Sequence, residues 1–112
     1  MENTLLIVNR EGMGSAPAEL QTVLIINFFR TLLKENQIPA TIFFYAEGIK
    51  LNLKGSVIED QLIELEGRGT QVITCTTCLN YYDALSDMAC GKKGGMSDLI
   101  RLIGTSGKVI TL

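Results

Sequence analysis

The chain has no histidine, which removes both the usual general base near neutral pH and the commonest metal ligand. Any chemistry must therefore come from cysteine, carboxylates, tyrosine, lysine or backbone amides. Positive charge is also scarce. Ten Lys and Arg against twelve Asp and Glu leave a net charge of −2, and the basic residues are scattered, so there is no footprint for a phosphate backbone and nucleic acid is not expected as a partner. No hydrophobic run is long enough to span a bilayer. The most apolar stretch, residues 23–33, is about eleven residues against the roughly 20 a span needs, and Asn27 and Arg30 interrupt it, so no membrane partner is expected. Glu2 and Asn3 stand where a signal peptide would carry its basic region, and the three cysteines are an odd number, which together make a reducing cytoplasm the expected location. Repeats, low-complexity tracts and linkers are absent as well. At 112 residues and 46% hydrophobic content, residues 1–112 are expected to form a single domain around one core.

What is present alternates between strand and helix signals. Residues 4–8 (TLLIV) read as a strand covered on both faces, and residues 9–17 (NREGMGSAP) as a flexible loop with Pro17 at the first helical position. Gly12, Met13, Gly14 and Ser15 are candidates for close backbone approach to a ligand. Without a full G-x-G-x-x-G pattern, the competing reading is that they are plain turn residues. Residues 18–35 are helical but apolar on more than one stripe. The excess around Ile25, Ile26, Phe29 and Leu33 predicts a homo-oligomer formed through this helix, unless another part of the same chain covers it. Residues 40–46 form a second strand, and 47–53 a short helical turn or irregular loop. Ser56 and Glu59 have the spacing of a capping box, opening a helix with Ile58, Leu62 and Leu65 on one face. A third strand over 70–74, a short helix over 79–87, a mobile loop over 88–95, a helix capped by Ser97 and a strand over 108–112 complete the chain.

This order predicts an α/β fold, a Rossmann-like three-layer sandwich with a mainly parallel sheet of about four or five strands and right-handed crossovers. A flavodoxin-like strand order of 2-1-3-4 would put the ligand crevice between the first and third strands, with the loop at residues 12–15 beside Cys75.

Residues 71–85 (QVITCTTCLNYYDAL) carry the leading site. An apolar run stops at a cysteine, and a helix N-terminus follows, so Cys75 is placed where free N–H groups and the helix dipole stabilise a thiolate. Lys92 and Lys93 are candidate cationic helpers, and Tyr81 and Tyr82 candidate hydrogen-bond donors. Cys78 lies one turn on, within reach of a disulfide with Cys75, and is placed to resolve a persulfide formed there. Three readings compete: a sulfur-carrying thiol pair, cysteines that merely fill the core, and half of a metal site. With no histidine and only Cys90 left over, one chain cannot complete four zinc ligands, so no metal is expected unless subunits share it. A thioredoxin-like oxidoreductase is a further alternative, but neither Pro17 nor Pro39 lies downstream of the C-x-x-C, where thioredoxins place a cis-proline.

The string C-x-T-C-L-x-Y-Y at residues 75–82, the loop at Met13 and Gly14, the stretch 43–85 and the closing GGMSDLIRLIGTSGKVITL together make the chain similar to the DsrE/DsrF-like sulfurtransferase family, and more closely to the DsrE-like domain of YedF proteins. In that family the functional cysteine ends a strand with a leucine four residues later, a pattern that Cys75 and Leu79 fit. Cys78 is the additional cysteine of the YedF-like branch. The resemblance implies a Rossmann-like fold, oligomer formation, persulfide relay between donor and acceptor proteins without an organic cofactor, and a link to selenium metabolism. YedF proteins usually carry a second domain similar to the TusA sulfur carriers. None lies in these residues, and the resemblance leaves two readings open: a separate TusA-like carrier as partner, or another use for this chain. The expected chemistry is acceptance of sulfur by Cys75 as a persulfide. The alternative is a non-catalytic binding or regulatory module with structural cysteines.

Overall fold

The computed structural model describes all 112 residues. Five short strands form one parallel sheet: β1 (Thr4–Val8), β2 (Thr41–Phe44), β3 (Gln71–Cys75), β4 (Lys92–Gly94) and β5 (Lys108–Thr111). The expected α/β class with a parallel sheet between helices is borne out. Their order is β4-β3-β2-β1-β5, with β1 paired to β2 and β5 rather than to β2 and β3. The flavodoxin-like 2-1-3-4 order is therefore corrected. Each of the first three crossovers moves the chain one place in the same direction, and only the last returns it past β1. Right-handed crossovers then put the early helices on one face and the last helix on the other.

The early helices are α1 (Ala18–Lys34), a 3-10 helix (Ala46–Asn52), α2 (Glu59–Gly67) and α3 (Thr76–Tyr81); the last is α4 (Met96–Thr105). Side chains alternate across the strands and so divide the core in two. Leu6, Val8, Ile42, Phe44 and Val72 meet Ile25, Phe29 and Leu32 of α1 and Leu62 and Leu65 of α2 in the larger cluster. Leu5, Ile7, Phe43, Ile73 and Cys75 meet Leu99 of α4 in a smaller one.

Three local expectations shift. Ile25 and Phe29, expected on an oligomer face of α1, are fully buried in the chain's own core; the exposed apolar residues of that helix are Leu20, Val23 and Leu24. Residues 92–94, expected within a loop, form the edge strand β4, whose two exposed lysines give no apolar alternation and protect the edge. The helix expected over 79–87 begins at Thr76 and ends by Asp83, whose left-handed backbone (φ 54°) breaks it. The capping residues sit close to where they were expected. Glu59 accepts the Gly55 N–H at 3.0 Å, and Ser56 Oγ accepts that of Ile58 at 3.3 Å. For α4 the cap is Gly95, whose N–H is held by Asp98 at 2.8 Å, instead of Ser97.

One glycine fixes how the 3-10 helix meets the sheet. Tyr45 N–H donates to the Val8 carbonyl at 3.1 Å, and a Cβ on Gly48 would stand 2.1 Å from that same oxygen. No side chain fits there without moving backbone. Gly48→Ala is expected to lower the unfolding free energy by about 1–3 kcal/mol in urea denaturation; a loss below about 0.5 kcal/mol, the range of ordinary surface changes, would show that the contact is not required.

Candidate functional site

The parallel register aligns the carboxyl ends of the central strands: Val8 lies opposite Phe44, and Phe44 opposite Thr74. The segments leaving β2 and β3 therefore emerge side by side. Cys75 is the last residue of β3, pairs with Gly94 of β4, and is only 1% exposed against Leu99 and Ile73. Cys78 is half-buried on α3 and touches both core clusters. All three cysteines are reduced. The 3-10 helix supplies what sequence reasoning missed: the Ala46 N–H donates to Cys78 Sγ at 3.1 Å. Ala46 adopts a left-handed backbone (φ 51°), a conformation that costs a non-glycine residue energy and that recurs where function demands it. No sequence signal marks Ala46, because its conformation comes from packing rather than local preference.

At Cys78, burial pushes the thiol above its ordinary range, the Ala46 hydrogen bond pulls it down, and the adjacent Cys75 thiol pushes it up again, leaving a net rise. Neither Lys92 nor Lys93 is among the groups acting on it; both are exposed on β4, and Lys92 acts instead on Asp98. Cys90 stands apart. Its Sγ donates to Asn52 Oδ1 at 3.5 Å, while buried Asn52 donates to Thr74 Oγ1 and to the Cys90 carbonyl, each at 2.9 Å. Burial, with Glu66 and then Glu59 contributing, pushes this thiol up to about 11, which suits a structural role.

The loop at Gly12, Met13, Gly14 and Ser15 is not brought beside Cys75. It follows β1, two strands or about 10 Å from the end of β3, and folds back on α1 through Met13 N–H to the Gln21 carbonyl at 3.1 Å. Of the two tyrosines, Tyr81 is 80% exposed, whereas half-buried Tyr82 carries the Lys50 ammonium 4.7 Å from its ring centroid. Tyr82 and Lys50 form one wall of an open cleft of about 400 Å³, completed by Glu11, Lys54 and the Gly55–Ser56 turn. No three Cys, Asp or Glu side chains converge as a metal-ligating group.

No protein-family model matches this chain, and no curated protein sequence is similar to it. Solved structures similar in fold over nearly all of it include the following two. One is MTH1491 of Methanobacterium thermoautotrophicum, a protein of unknown function, with 16% identity and a TM-score of 0.71 over 97% of both chains. The other is the YchN protein of E. coli, with 19% identity and a TM-score of 0.72 over the whole of both chains. At these identities the similarity shows the α/β fold and nothing finer. No helix is long and apolar enough to cross a membrane.

Because the thiolate is the reacting species, a raised Cys78 is mostly protonated at neutral pH, and its reactivity grows as pH rises toward and beyond 9. Iodoacetamide labelling followed by peptide mass spectrometry is expected to show Cys78 modified fastest, with a rate still climbing at pH 9, and Cys90 lagging toward pH 11. A Cys78 midpoint below the free-thiol value of about 8.5 would contradict this balance.

Proposed function

We propose that this chain is a sulfur-relay protein of the DsrE/DsrF-like sulfurtransferase kind, closest to the DsrE-like domain of YedF proteins, in which Cys78 accepts sulfane sulfur as a persulfide and passes it on. The observation that carries the proposal is the pairing of two reduced cysteines at the end of β3, with the more accessible one held by the Ala46 N–H. This moves the acceptor role from Cys75, which an incoming donor cannot reach at 1% exposure, to Cys78. The Cys78 thiolate attacks the outer sulfur of a donor persulfide, the donor leaves as a thiolate, and Cys78 holds the persulfide. An acceptor thiolate, such as that of a TusA-like carrier, then attacks the outer sulfur and restores Cys78. Cys75 lies behind as the resolving thiol, able to close a disulfide with Cys78 and expel sulfide when no acceptor arrives. No organic cofactor takes part, and the expected setting is a reducing cytoplasm.

A second feature favours association with other chains. On α4, Met96, Ile100 and Ile103 are exposed, Ile100 to 69%, and on α1 so are Leu20, Val23 and Leu24. Such surface supports the homo-oligomer and protein-acceptor parts of the proposal.

Intact-protein mass spectrometry under non-reducing conditions, after exposure to inorganic polysulfide, separates relay from a purely structural role for the cysteines. The wild type and Cys75→Ser are expected to gain about one sulfur mass, and Cys78→Ser is expected to gain none, since only an accessible thiolate reacts. Uptake lost in Cys75→Ser and kept in Cys78→Ser would return the role to Cys75. No uptake in any of the three would leave the binding-module alternative.

A further inference from the structure

The cleft beside α3 has a charge pattern that the relay chemistry alone does not use. We infer that it binds a low-mass persulfide bearing two carboxylates and one ammonium, the charge pattern of glutathione persulfide, and presents its outer sulfur to Cys78. This rests on the relay function proposed above and names its donor.

The cleft's charged groups form no ion pairs, and Lys50 is held only by the Tyr82 ring. The chain's ion pairs are Arg68–Glu64 and Arg101–Asp98, so Lys50, Lys54 and Glu11 have no opposite charge within 4.0 Å. Two lysines and one glutamate thus line the same space, the charge complement of two carboxylates and one ammonium. The Tyr82 ring and Leu53 add an apolar wall for a short backbone. The volume, about 400 Å³, falls within the range of small-molecule sites. Its position fits as well. Glu11 follows β1, Lys50 follows β2 and Tyr82 follows β3, which places the cleft outside the carboxyl ends of the parallel strands, where α/β sheets bind ligands.

Two elements lead from the cleft to the sulfur. Tyr82 lies one turn beyond Cys78 and donates its N–H to the Cys78 carbonyl at 3.1 Å. Lys50 lies along the 3-10 helix from Ala46, whose N–H meets Cys78 Sγ, and its ammonium sits over the Tyr82 ring. Cys78 itself does not line the cleft; the lining residue Tyr82 stands one helical turn along α3 from it, a rise of about 5.4 Å. A tripeptide-sized thiol spans up to about 10 Å, enough to seat its charged ends in the cleft and its sulfur at Cys78.

In the transfer, the Cys78 thiolate forms a bond to the outer sulfur of R–S–SH. The bond between the two donor sulfurs breaks with its electron pair leaving on R–S⁻, which takes up the proton that the Cys78 thiol gave up. Cys78 sulfur is oxidised to the persulfide level and the donor's inner sulfur is reduced to a thiol, so no other oxidant is required.

The test compares the rate constant for loading Cys78 with glutathione persulfide against that with the persulfide of glutathione diethyl ester, whose carboxylates are masked. The wild type is expected to prefer the free acid by about tenfold, with each ammonium contributing as a modest surface pair. In Lys54→Gln and in Lys50→Gln/Lys54→Gln the preference is expected to fall stepwise toward unity. Unreactive S-methylglutathione is expected to slow loading by the free acid and to shift the Tyr82 resonances. Equal rates for the two donors in the wild type, or a preference that survives the double variant, overturn the inference while Cys78 loading keeps the relay. If neither donor loads Cys78, the relay and this donor assignment both fall.

Discussion

The hydrogen bond from Ala46 N–H to Cys78 Sγ is the contact on which the site depends. It joins the segment leaving β2 to the helix leaving β3, and it exists only because the parallel register brings those two strand ends level. Gly48 makes the approach possible by leaving room for the Val8 carbonyl, which in turn holds Tyr45 N–H. Strand register, one glycine and one strained alanine thus combine to aim a single N–H at a single sulfur.

That sulfur is held between opposing influences. Burial and the neighbouring Cys75 thiol favour the protonated form, while the Ala46 N–H favours the thiolate. A thiol kept mostly protonated is guarded against adventitious oxidation and reacts when a donor is positioned beside it, since exchange depends on the thiolate fraction and on access. In the proposed relay, the cleft lined by Lys50, Lys54 and Tyr82 supplies that positioning. Cys90 is tied into the Asn52–Thr74 network, and burial pushes its thiol up to about 11.

Much of the fold was legible in the sequence because it follows from local pattern. The β-branched runs at residues 4–8 and 70–74 became strands, the second shifted by one residue to Gln71–Cys75, so the apolar run does end at Cys75. Strand order was not legible: the signals for 2-1-3-4 and for β4-β3-β2-β1-β5 are the same alternation of strands and helices, and only the direction of each crossover distinguishes them. The edge strand β4 was hidden because Lys92 and Lys93 face solvent and carry no alternation. On α1, a wheel apolar on most sides pointed to a second face, but could not tell which residues the sheet would claim; Ile25 and Phe29 went inward and Leu20, Val23 and Leu24 outward. At the site, the cysteine pair was visible from its spacing, whereas Ala46, Lys50 and Lys54 were not, because tertiary packing rather than a motif brings them there.

The central claim is that the sulfur held by Ala46 is the one that carries the cargo. The most direct measurement is a two-dimensional amide NMR spectrum of the wild type before and after loading with one equivalent of sulfane sulfur. The Ala46 resonance is expected to move most, since its hydrogen-bond acceptor becomes a persulfide sulfur, with Gly94 opposite Cys75 and Gly91 beside Cys90 little changed. Loading that moves Gly94 or Gly91 and leaves Ala46 in place would contradict the account.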